Sequence, residues 1–243
     1  ATFAQVRGLF QLAPQPALRV KGHDEALKTW LVLGELHTAE RAAQRGVEGV
    51  HTALVGRGSE IASLQALWQG CCTTPGPALA VVLADAGMGK TRLRHELLHR
   101  LGATALQARA HPSSGLQSYG LLRQLLTRWL DLGDDLPAEA ARQRFVQGLL
   151  PWLADEPAGT GADAQTQAQR LGHLLGLDFS AQPQVQALGG RDLRSQALAT
   201  LARLLRALAR EQPLLVVLDD VHWADDASLD ALPALLSPGP EGT

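Results

Sequence analysis

Residues 78–91 read ALAVVLADAGMGKT, and the chain continues RLRHELLHRL to Leu101. The first seven residues are an unbroken apolar run, the pattern of a strand buried on both faces of a parallel sheet. Leu93, Leu97 and Leu101 then recur at four-residue spacing with Gly102 behind them, as in an amphipathic helix that ends on a glycine. Between strand and helix, ADAGMGKT at 84–91 fits the Walker A phosphate loop, with Ala84 in a position where glycine is commoner. Small residues are needed because a phosphate chain must come close to the main chain, and Gly87 and Gly89 both leave room and tolerate the dihedrals. The backbone N–H groups of Ala84, Asp85, Ala86, Gly87, Met88 and Gly89 would face the phosphates, and the helix N-terminus adds partial positive charge. Lys90 can bridge the β and γ phosphates, and the Thr91 hydroxyl can ligate Mg²⁺. The bland alternative is a plain strand–turn–helix connection.

Working outward, PLLVVLD at 213–219 is a second apolar run, and it ends in the pair Asp219 and Asp220. Asp219 is expected to hold the Mg²⁺ hydration shell and Asp220 to orient or deprotonate an attacking water. Either could instead cap the following turn, and Asp225 or Asp226 can cap the helix that starts near Ala227. A further strand is expected at 105–110, helices at 59–70, 119–130, 138–153 and 192–210, and a low-complexity loop at 154–169. Strands alternating with helices predict an α/β sandwich around a parallel sheet. The long stretch from Lys90 to Asp219 exceeds what a minimal nucleotide fold requires, which predicts a helical insertion. Ahead of this unit, runs at 17–22 and 26–33 flank His23, Asp24 and Glu25 as a hairpin, and a helical or loose linker follows to Val50.

The whole chain has 243 residues, 46% of them hydrophobic and 19% charged, with a net charge of -2, which excludes a mostly disordered chain and argues against a nucleic-acid-coating protein. The apolar runs are too short to span a bilayer and no leader opens the sequence, so a cytoplasmic location is expected. Cys71 and Cys72 are adjacent and suggest no secreted disulfide framework. Lysine occurs only at 21, 28 and 90, which singles out Lys90 in an otherwise arginine-based set of cations. The single methionine is Met88, so Ala1 is not an initiator and the chain reads as a fragment or processed product, and the Pro/Gly tail after Ser237 reads as a second cut.

A competing motif lies on the helix itself. Residues 95–99 read HELLH, which would place His95 and His99 on one helix face as Zn²⁺ ligands with Glu96 activating water, a zinc-metallopeptidase reading. The third histidine of that pattern would fall at Ala105, and two protein ligands are too few for a catalytic zinc.

Taken together, VGRGSE (55–60), ADAGMGKTRL (84–93) and PLLVVLDDVHWADDASLDAL (213–232) resemble the AAA ATPase module of the Orc1-like or STAND type found in large bacterial signalling proteins. The resemblance covers residues 51–243. It implies a three-layer P-loop NTPase with an incomplete parallel sheet, a helical insertion and bound Mg-ATP. Val55, Gly56 and Arg57 would lie near the adenine or phosphate edge, although Arg57 also suits a solvated helix-start turn. Arg92 matches the family beside Thr91 without a catalytic role, and His222 and Trp223 match its post-Walker B signature, either sensing nucleotide or packing the turn. Residues 1–35 resemble the closing hairpin of a class III adenylate/guanylate cyclase domain, with 36–50 as linker; the cyclase's catalytic residues would lie upstream, so this chain should not cyclise ATP. The family's sensor strand and helical lid fall beyond Thr243, which predicts unpaired apolar edges, low stability and weak hydrolysis.

These features point to slow Mg-ATP hydrolysis in a regulatory module of a multidomain signal-transduction protein. Lys90 and Asp220 would act in turnover, and Thr91 and Asp219 would hold Mg²⁺. The expected partners are ATP, a cyclase domain upstream and sensor or repeat domains downstream, with nucleotide-dependent oligomers and with neither membrane nor direct nucleic acid contact. A nucleotide-dependent interaction scaffold without turnover is the alternative.

Overall fold

The computed structural model describes residues 10–18, 27–35, 55–74, 76–103, 105–112, 117–133, 135–154 and 163–237. They fall into two compact units, one drawn from Ala1–Gly58 with Gly89–Glu96 and the other from Ser59–Met88 with Leu97–Thr243.

In the first unit, β1 (Phe10–Leu18) pairs antiparallel with β2 (Leu27–Glu35), with Pro14 opposite Trp30 and Leu18 opposite Leu27. The hairpin expected from the sequence is present, but its first strand runs over 10–18 where 17–22 was expected; residues 19–26 lie outside the described residues. Pro14 and Pro16 disguise β1 as turn sequence, yet in a two-stranded ribbon each residue can face outward on an edge, where a missing N–H breaks no ladder bond. The Thr29 hydroxyl donates to the Pro16 carbonyl at 3.0 Å and closes the irregular end of the pairing.

The second unit carries α1 (Gly58–Thr73), most of its residues lying after Gly58, and the C-terminal part of α2 (Lys90–Leu101). Then come β3 (Ala105–Arg109), α3 (Gly120–Trp129), α4 (Ala138–Leu153), α5 (Ala164–Leu174), the single turn α6 (Pro183–Gln186) and α7 (Gly190–Glu211). The chain closes through β4 (Leu215–Asp219), a short 3-10 turn (Val221–Trp223) and α8 (Asp226–Leu236). β3 and β4 are parallel, with Leu106 beside Val216 and Arg109 beside Asp219. Alternating helices and parallel strands give the α/β class expected from the sequence, and α4–α6 with most of α7 form the helical insertion.

The core lies between the sheet and these helices. Leu121, Leu122, Leu125 and Leu126 of α3 are buried, as are Phe145, Leu149 and Leu153 of α4, Ala168 and Leu171 of α5, and Leu201 and Leu204 of α7. These are the 3.6-residue stripes that bury one helix face. At the edge of the cluster Trp129 and Trp152 meet with ring centroids 6.2 Å apart, a tilted aromatic contact.

Three sequence expectations are corrected. Residues 78–84 form no strand: they are irregular and exposed, with Leu79 at 64% and Leu83 at 87% of full accessibility. Strand propensity is expressed only where a neighbouring backbone supplies the ladder, and the described parallel sheet consists of β3 and β4 alone. The loop expected at 154–169 is helical from Ala164, because the Asp163 carboxylate accepts from the Thr166 N–H at 2.6 Å and Ala168 and Leu171 are fully buried behind that cap. That backbone bond holds the Asp163 carboxyl below the usual carboxylate range. β4 is half-buried, not doubly buried, Val216 retaining 37% exposure.

One carboxylate joins the ends of two helices. Asp225 is the N-cap of α8, accepting from the Ser228 N–H at 2.8 Å and the Ser228 hydroxyl at 2.7 Å. It also accepts from the Tyr119 N–H at 2.7 Å and, more weakly, the Leu121 N–H at 3.4 Å. Tyr119 sits in the left-handed region at φ 60° and gives α3 no side-chain cap of its own, so Asp225 takes up the N–H groups that α3 would otherwise leave orphaned. Burial pushes the Asp225 carboxyl up, but the hydrogen bonds from Ser228, Tyr119 and Leu121 outweigh it and leave the group below its ordinary value.

Two outcomes are expected. Because its folded-state pKa is depressed, Asp225 stabilises the protein above the ordinary aspartate pKa of about 3.9, and that contribution is lost as pH falls through the lower folded value. Asp225→Ala should therefore cost about 1–3 kcal/mol at pH 7, and the gap from wild type in urea melts should shrink below about pH 4. A gap independent of pH would contradict the assignment. Gly172 on α5 has no space for a methyl group: a Cβ there would stand 2.6 Å from the Phe179 ring and 3.2 Å from the Phe145 ring. Gly172→Ala should lower stability by about 1–3 kcal/mol in the same melts despite alanine's better helix propensity.

Candidate functional site

Residues 84–89 form an exposed turn that runs directly into a helix, without the preceding strand the motif was expected to follow. Gly87 and Gly89 both lie at positive φ, 81° and 85°, and a Cβ at either would meet no atom within 4 Å. The dihedral, not crowding by the protein, is what calls for glycine at these two positions. The Met88 N–H donates back to the Asp85 carbonyl at 3.3 Å, turning the loop, and the Leu93 N–H donates to the Gly89 carbonyl at 2.9 Å, opening α2. The helix therefore starts at Lys90, as the sequence predicts, and its first N–H groups carry the partial positive charge of a helix N-terminus. Residues 84–89 are exposed, whereas Lys90, Thr91 and Arg92 are half-buried. Val55 is 86% exposed, Gly56 has φ 79° and Arg57 is half-buried just ahead of α1.

The aspartates stand at the C-terminal ends of the parallel strands, the edge where open α/β sheets receive ligands. Asp219 closes β4 beside Arg109, and its carbonyl accepts from the Ala110 N–H at 3.0 Å. Asp220 follows in the left-handed region at φ 52°, and its Oδ2 accepts from both Nε and an Nη of Arg109 at 2.7 Å. The Arg109 N–H in turn donates to the Gln124 side chain of α3. Lys90 and Thr91 belong to one unit and the two aspartates to the other. Within the second unit the structure joins Asp220 to Arg109, whose sequence signal was an arginine near the end of the strand expected at 105–110.

His222 and Trp223, expected either to sense nucleotide or to pack the turn, are both exposed. Their rings meet at a tilt, with centroids 5.1 Å apart and planes at 47°, and Trp223 keeps 46% exposure. On α2, the His95 Nε2 lies 3.3 Å from the Arg94 guanidinium, and His99 is exposed. Among the described residues no three His, Cys, Asp or Glu side chains gather as a metal site. Among those residues, too, no helix is long and apolar enough to cross a membrane.

The donors suit a nucleotide with a hard cation. Backbone N–H groups at positive-φ glycines and at a helix start suit phosphate oxygens, and the Thr91 hydroxyl and the Asp219 carboxylate are each an oxygen ligand of the kind Mg²⁺ prefers.

Comparison with known proteins agrees with this geometry. An uncharacterised protein of Rhizobium meliloti (strain 1021) is 28% identical over 225 residues, covering 90% of this chain, while the chain spans about a fifth (20%) of that relative's length. No solved structure matches. The family model described as "AAA ATPase domain" matches residues 53–242, which takes in the phosphate loop, the insertion and the aspartate pair. By that match over most of its length, the chain belongs to the AAA ATPase domain family.

Proposed function

We propose that this protein binds Mg-ATP and hydrolyses it slowly, as a STAND-type regulatory module within a longer cytoplasmic signalling protein. The observation that carries the reading is the loop at 84–91, whose two positive-φ glycines run directly into a helix starting at Lys90. Backbone amides of 84–89 and the Lys90 ammonium would hold the triphosphate, with Val55, Gly56, Arg57 and Arg92 at its margins. Thr91 and Asp219 would hold Mg²⁺, which neutralises charge on the β and γ phosphates when bound. Asp220 would orient the attacking water. Slow turnover is favoured because the Asp220 carboxylate is already engaged by Arg109.

The N-terminal hairpin supports a cyclase-like tail preceding the module, and the chain's short share of its relative supports further domains as partners. A scaffold that binds nucleotide without turnover would use the same loop, and the Arg109–Asp220 pair is the observation in its favour.

Calorimetry with Mg-ATP should show saturable binding that Lys90→Ala weakens at least about tenfold, or about 1.4 kcal/mol. An unchanged titration would sink the phosphate-loop reading. In a phosphate-release assay, Asp220→Ala should retain binding and lose about 100-fold in rate; binding without any release from wild type selects the scaffold.

A further inference from the structure

Asp225 does more than cap a helix. It is 5% exposed, yet its two oxygens accept four hydrogen bonds, two from Ser228 of α8 and two from the Tyr119 and Leu121 N–H groups at the start of α3. From Asp225 the chain leads back to Asp220 through a hydrogen-bonded turn, in which the Trp223 N–H donates to the Asp220 carbonyl at 2.9 Å and the Ala224 N–H to the Val221 carbonyl at 3.0 Å. From Tyr119 the chain leads along α3 to Gln124, which accepts the Arg109 N–H, and Arg109 holds the Asp220 carboxylate at 2.7 Å. The two paths meet. Asp225, α3, Gln124, Arg109, Asp220 and the 3-10 turn close one ring of hydrogen bonds, and its most deeply buried charged member is Asp225.

From this ring we infer that Asp225 is a positioning residue for ATP hydrolysis: by fastening the turn after β4 to the N-terminus of α3, it fixes where the Asp220 carboxylate points. The inference rests on the proposed role of Asp220 in turnover. Phosphate binding is assigned to 84–91, which lies outside the ring, so the effect belongs to kcat and leaves nucleotide affinity alone.

Asp225→Ser tests this, because serine is a competent N-cap for α8 but cannot also hold Tyr119 and Leu121. Nucleotide affinity by calorimetry and steady-state phosphate release are measured for wild type, Asp225→Ser, Asp220→Asn and the double variant. Expected are a fall in kcat of about tenfold for Asp225→Ser with nucleotide Kd within about twofold, and no further fall when Asp225→Ser is added to Asp220→Asn. A general loss of folded protein would instead reduce both backgrounds alike. Equal losses in the two backgrounds, or an unchanged kcat in the single variant, overturn the inference while leaving the role of Asp220 standing. If Asp225→Ser lacks a cooperative melt, Asp225→Asn takes its place: one amide oxygen can still accept from Tyr119 and Ser228, but its NH₂ opposes the Leu121 N–H, and kcat should again fall only where Asp220 is intact. A wild type that binds Mg-ATP and releases no phosphate removes the catalytic reading of Asp220, and this inference with it, without touching nucleotide binding.

Discussion

The parallel ladder between β3 and β4 is the constraint on which the described sheet and its chemistry depend. Its register sets Arg109 beside Asp219, so the residue after each strand emerges at the same edge and Asp220 falls within reach of the Arg109 guanidinium. A slip of one residue would exchange the two faces of β3, burying Gln107 and turning Leu106 and Ala108 outward. Leu106 and Ala108 are buried, at 5% and 2% exposure, so that slip would expose the strand's apolar face. The register that satisfies the core is thus the one that assembles the charged edge, and no separate device is needed to align the strands.

The apolar run at 78–84 shows the same rule from the other side. Its Val and Leu residues suit a strand, yet Leu79, Val81 and Leu83 stay exposed at 64%, 65% and 87%. A strand is a property of two backbones. Propensity and pattern describe only one of them, and in the described sheet β3 and β4 pair with each other and leave this segment outside the ladder.

What the sequence made legible follows from the range of the interaction involved. Helices α4 and α7 could be read almost to the residue, because their leucine and phenylalanine spacing and their bounds at Pro137 and Pro213 are local signals. The loop glycines and the start of α2 at Lys90 were legible for the same reason: a positive φ and a helix N-terminus are encoded within a few residues. Helix α5 was hidden behind a low-complexity composition of Ala, Gln and Gly, and what makes it a helix is the Asp163 cap together with burial of Leu171 against a distant α4. Arg109 and Tyr119 were illegible as site neighbours, since their partners Asp220 and Asp225 lie more than a hundred positions away in the chain.

Magnitudes decide which contact governs the direction of Asp220. The Arg109–Asp220 pair is open to water, with side-chain exposures of 42% and 23%, and exposed ion pairs contribute about 0–1 kcal/mol. Both of its contacts fall on a single carboxylate oxygen, so it lacks the two-oxygen fork that gives arginine pairs their geometric strength. Asp225, by contrast, is an ionised acceptor in a buried setting, whose hydrogen bonds together contribute about 1–3 kcal/mol. The left-handed backbone at Asp220 and the 3-10 turn behind it transmit that anchoring over five residues with little freedom to lose. The turn is therefore set from its buried end, and the arginine at the surface settles onto a carboxylate whose position the backbone has already chosen.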